Sequence, residues 1–168
     1  MPDATVDLLV VAFAVLYYAF LCVVYIIRGL GNEALELKLA TAFSVQLGPF
    51  LALWLANLLV GADISRLVTL LPIIVYLAYD MWYRLLTKRK PVHHPKKWPP
   101  GLVVYLVLLM VGSFALNWYG FLVSKTLGSM LVACFFIMLG CFGYYQGMHD
   151  RRLKAGKDRP HSADMKNG

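Results

Sequence analysis

Charge is what this sequence lacks most. Lys, Arg, Asp and Glu make up 15% of the 168 residues, against roughly 25% in an ordinary soluble domain. Histidine is missing from every long apolar run, since His93, His94, His149 and His161 all lie between or after those runs. A membrane-embedded haem would normally draw an axial ligand from within a span, so none is expected. Three cysteines occur, Cys22, Cys134 and Cys141, without a C-x-x-C pair, which leaves thiol–disulfide exchange no motif. Cys134 and Cys141 share one helix at a separation of more than ~10 Å along its axis, too far for a disulfide. The sequence has no nucleophile elbow, phosphate loop or acid-rich metal motif. The adjacent His93 and His94 lack the carboxylates or cysteines that would complete a metal site. No metal or other cofactor is expected.

What is present is apolar and grouped. Hydrophobic residues reach 60% and aromatic ones 14%. They fall into five stretches, 7–27, 37–60, 64–86, 101–123 and 126–147, each of the ~17–25 residues that cross a bilayer as helix. A spanning β-barrel would alternate in polarity along its strands, and these runs do not. The fold class expected is an all-α integral membrane protein, a compact bundle of five transmembrane helices. The first run is read as a span rather than a signal peptide, because "MPDATVD" has no basic n-region.

The formal net charge of +7 would suggest nucleic acid in a soluble protein. Here no aromatic-studded basic surface accompanies it, and no nucleic-acid partner is expected. In membrane proteins basic residues mark the cytoplasmic loops. The segments 28–38, 84–100 and the tail from Met148 hold fourteen of the sixteen Lys and Arg residues. The alternate side has only Arg66 and Lys125. That asymmetry places the N-terminus outside and the C-terminus in the cytoplasm, in the cell membrane, with the endoplasmic reticulum as the alternative. The loop 87–100 is basic and proline-rich, so no stable helix is expected there. Its Lys88, Arg89, Lys90, Lys96 and Lys97 would lie against anionic headgroups, with Trp98 as interfacial anchor. The tail 148–168 is polar and expected to be disordered.

Polar residues inside the runs are the candidate sites. At 1.5 Å per residue, Gln46 lies about 14 Å from the cytoplasmic end of its span, near the centre of a ~30 Å core. Tyr17, Tyr18, Tyr76 and Ser113 reach similar depth on three other helices, so the five form a candidate midplane cluster facing the bundle interior. Gln46 sits in "FSVQLGPFLALW", where Pro49 deprives the Val45 carbonyl of its usual donor. Ser44, Gln46 or a neighbouring helix would supply a replacement. This kink either forms a polar constriction or is plain packing held by interhelical hydrogen bonds of ~0.6 kcal/mol each.

Asp80 is the one ionisable residue read as lying well inside a span. It shares a helix face with Tyr76 and Arg84 and lies near the cytoplasmic boundary, where an Asp80–Arg84 pair would form. Asn57 and Asn117 sit in the outer halves of their helices, to pair with each other or line a shallow cavity. The last helix carries Ser129/Ala133 and Gly143/Gly147 at small-xxx-small spacing, which permits close helix packing.

Three functions fit these features. The favoured one is a non-enzymatic accessory or assembly subunit that packs against another membrane protein or a second copy of itself. The others are a small transporter or channel for protons, ions or hydrophobic molecules, and a lipid-acting enzyme built on Asp80. Reporters fused after Asp63, Pro95 and Lys166 test the orientation. Cytoplasmic activity is expected at Pro95 and Lys166 and absent at Asp63; the reverse pattern would overturn it.

Overall fold

Proline and glycine decide where the helices of this chain begin and end. The computed structural model describes residues 2–31, 33–83 and 100–157. Among these, six α-helices and no strand are found: α1 (Pro2–Leu30), α2 (Glu33–Ser44), α3 (Leu47–Leu59), α4 (Ile64–Met81), α5 (Pro100–Val123) and α6 (Lys125–Lys157). Five helical segments are long and apolar enough to cross a membrane, the second being Thr41–Leu59 across the α2–α3 joint.

That joint corrects the expectation of one continuous helix over 37–60. Pro49 has no N–H for the Val45 carbonyl and its ring crowds the preceding turn, so the helix breaks at Val45 and Gln46. The replacement donor is neither a side chain nor a neighbouring helix. The Gly48 N–H donates to the Val45 carbonyl at 3.1 Å, and the Gln46 N–H to the Phe43 carbonyl at 3.0 Å. These tighter i→i+3 turns satisfy the freed groups locally.

Other ends follow the same logic. After α3 the chain turns through Gly61 at φ 71°, with Ala62 N–H bonded to the Asn57 carbonyl and Gly61 N–H to that of Leu58. This is the paired closure that a left-handed glycine permits. Pro100 opens α5, a position where its missing N–H costs nothing. Ser124 alone separates α5 from α6 and caps the latter, its Oγ accepting from Leu127 N–H at 3.1 Å.

Several boundaries differ from expectation, two of them at the outer ends of the described chain. Helix α1 begins at Pro2 rather than near residue 7, and α6 runs on to Lys157 rather than stopping at 147. The expected disorder of the tail therefore does not hold for 148–157. "HDRRLKAGK" is polar but rich in good helix formers, and an established helix extends through such residues without paying again for nucleation. Residues 84–99 and 158–168, with the basic loop and the end of the tail, lie outside the described residues.

Packing is close along two seams. Helices α1 and α6 run in the same direction, with Tyr18 against Phe135 and Tyr25 against Phe142 at ring distances of 6.2 and 5.3 Å. Helices α4 and α5 run antiparallel, and a Cβ at Gly112 would stand 3.2 Å from the Ile73 Cα. Helix α1 also touches α2, α3 and α5, and its Tyr17 is the aromatic hub. Tyr18, Phe43, Phe50 and Tyr76 surround it at 5.3, 5.5, 6.3 and 6.4 Å.

At the α5–α6 turn a Cβ on Gly120 would meet the Gly128 Cα at 3.0 Å. Gly120→Ala is expected to cost about 1–3 kcal/mol through overpacking, read as a lowered midpoint of thermal unfolding in detergent. Gly140→Ala, whose Cβ would meet nothing within 4 Å, should leave that midpoint unchanged or raise it.

Candidate functional site

Among the described residues, buried polar side chains occur in three groups along the bundle. The first lies at the end where α1 begins. Asp7 of α1 accepts from the Arg66 guanidinium of α4 at 2.8 Å. The Tyr119 hydroxyl of α5 donates to its other oxygen at 2.7 Å and stands 3.2 Å from Oδ1 of Asn57 on α3. Asn57 in turn donates through Nδ2 to the Leu53 carbonyl at 3.0 Å. Asp7, Asn57 and Tyr119 are all buried. Charge-assisted bonds of this kind are about twice as strong as neutral ones, and here they join α1, α4 and α5, with Asn57 of α3 beside them.

The sequence reading missed this group. Asp7 was placed at the very start of its span, and Asp80 was taken as the sole ionisable residue well inside one. Because α1 begins at Pro2, Asp7 stands more than one turn inside the helix. Its signal was available: Asp7, Asn57 and Arg66 all fall near the same ends of successive runs, where an acid and a base can meet.

The second group is the middle layer. Tyr17, Tyr18, Tyr76 and Ser113 are brought together there, each fully or almost fully buried. The Tyr18 hydroxyl lies 2.9 Å from both the Ser113 carbonyl and Oδ1 of Asn117. The Tyr76 hydroxyl shares a 2.9 Å bond with that of Tyr105, a residue the sequence reading did not single out. Gln46 stands in the α2–α3 joint and is half-buried. Its Oε1 is buried without a hydrogen-bond partner, as are the Tyr17 hydroxyl and the Ser113 Oγ.

The third group lies towards the other end. Asp80 is completely buried and accepts from Ser44 Oγ at 3.1 Å. Its side chain thus points into the bundle. Depth counted along one helix says nothing of lateral position, and Asp80 faces the last turn of α2. Arg84, its expected partner, lies outside the described residues, as do Lys88, Arg89, Lys90, Lys96 and Lys97.

Asn57 and Asn117 do not bond each other. Asn57 belongs to the Asp7 group. Asn117, 5% exposed, belongs to the middle layer and also lines a cavity of about 620 Å³ between α4, α5 and α6. Apart from Thr69, whose hydroxyl donates to the Ser65 carbonyl, that cavity is otherwise apolar and aromatic, with Phe114, Trp118 and Phe136 on its walls.

No family model, curated protein or solved structure matches this chain.

The first group yields an asymmetric expectation. Arg66→Met strands the Asp7 carboxylate in apolar surroundings and should cost about 3–5 kcal/mol. Asp7→Asn keeps an acceptor for Tyr119 and leaves Arg66, 23% exposed, free to turn outward, at about 1–2 kcal/mol. Chemical unfolding in detergent measures both. Equal losses would show that Asp7 is not desolvated.

Proposed function

We propose that this chain is an integral membrane protein that acts as a non-enzymatic accessory or assembly subunit, docking against another membrane protein through the outer face of α6. The N-terminus would lie outside and the basic segment 88–97 against cytoplasmic anionic lipid, as the distribution of Lys and Arg implies.

One observation carries this reading. Ser129, Ala133, Gly140, Gly143 and Gly147 fall on a single stripe of α6 at 100° per residue, and all five are exposed. A Cβ at Gly140, Gly143 or Gly147 would meet nothing within 4 Å. Glycine is a poor helix former and contributes no packing inside this bundle at these positions. Its use there is understood if a second helix approaches the α6 backbone closely. Phe136, 64% exposed, stands in the same stripe as a knob among the small residues.

A second reading, a small carrier for protons or ions, has one specific support. The buried, unpartnered atoms of Tyr17, Gln46 and Ser113 are the kind of exception that an internal polar guest would resolve.

Purification from native membranes in mild detergent separates the two. A stoichiometric partner or stable homo-oligomer is expected with the native chain and is lost in Gly143→Trp, which should keep its unfolding midpoint because the site is open. A partner retained by Gly143→Trp would overturn the α6 interface. Proton flux through liposomes containing the protein alone would favour the carrier.

A further inference from the structure

The cavity between α4, α5 and α6 combines a size, a lining and one buried polar side chain. Its volume of about 620 Å³ falls within the ~300–1,000 Å³ of small-molecule sites, which are mostly apolar with a few placed polar groups. Val68 and Pro72 of α4, Phe114 and Trp118 of α5, and Phe135 and Phe136 of α6 form its walls. Phe114 and Trp118 are about 60% exposed, so it opens sideways, towards lipid in a membrane.

The polar group is the Asn117 amide. A tyrosine hydroxyl has one proton and the amide has two ends. Tyr18 meets one end at 2.9 Å. Whichever end that is, the other bonds no group among the described residues and belongs to a residue lining the cavity. In an apolar surround an unpaired amide is disfavoured, and an alkyl chain offers it nothing.

We propose that this cavity binds an apolar molecule bearing a hydroxyl group, a membrane-soluble alcohol. A hydroxyl both donates and accepts, so it pairs with either end of the amide while its apolar body packs on the aromatic walls. A partner helix fits less well. It is about 10–12 Å across with side chains, so it lies over such a cavity rather than in it, and its backbone groups are already bonded.

The test uses the full chain in nanodiscs with two photoreactive probes of equal length, diazirine-bearing hexadecanol and diazirine-bearing hexadecane. Labelling is mapped by peptide mass spectrometry. Saturable labelling of the Trp118 and Phe136 segments is expected from the alcohol at about tenfold lower concentration than from the alkane, the ratio that one buried hydrogen bond produces. Asn117→Leu should abolish that preference. Val132→Phe, which fills the cavity and leaves the Tyr18–Asn117 bond in place, should abolish saturable labelling and carries the test if Asn117→Leu does not fold. Equal labelling by both probes would show a lipid-facing surface only and overturn the proposal. So would capture of another protein by a photoreactive residue replacing Trp118 in native membranes, which would show the cavity covered by a helix.

Discussion

A single carboxylate holds the first helix to the rest of the bundle at the end where the chain begins. Asp7 receives the Arg66 guanidinium and the Tyr119 hydroxyl, and Asn57 closes the group from α3. Apolar helices in an apolar solvent have no hydrophobic reason to assemble. Paired polar groups give directional preferences that dispersion does not, because each group has only one arrangement that leaves none of them bare. The same device recurs at Tyr18 with Asn117 and at Ser44 with Asp80. Between these bonded levels the aromatic hub around Tyr17 fills space. The order of the helices around α1 follows from where these few partners stand.

The helical character and the number of long apolar helices were legible from the runs alone, because twenty apolar residues in succession admit few structures. The break before Pro49 was legible as a disturbance, but not as a complete interruption. Its outcome depended on the backbone N–H of residue 48 turning back to the Val45 carbonyl, a backbone choice no residue pattern announces. Asp80 shows the other limit. A depth estimate places a residue along one axis, whereas burial is decided by rotation about that axis and by what the neighbouring helix offers, here Ser44. Asp7 was misjudged for a simpler reason: the helix begins at a proline, five residues before the apolar run suggested.

The α6 stripe and the cavity meet at Phe136. It stands among the small residues of the α6 stripe and forms part of the cavity wall beside Asn117. A helix seated on the stripe would press on one side of that ring, and a molecule in the cavity on the other. Occupation of either place is thus linked to the other through one rotamer, with a sign set by whether both favour the same one.

The joint at Ser124 has a consequence for how the protein is made. With one residue between them, α5 and α6 cannot part by more than a helix diameter, and Gly120 and Gly128 are already in near contact. Neither can wait in the membrane while the other is still being delivered across it. In a membrane they would enter as one preformed hairpin. The turn itself carries Lys125 as its only charge, too little to orient two helices. The last third of the chain would therefore take its direction from the segments that insert before it and from the basic extension of α6.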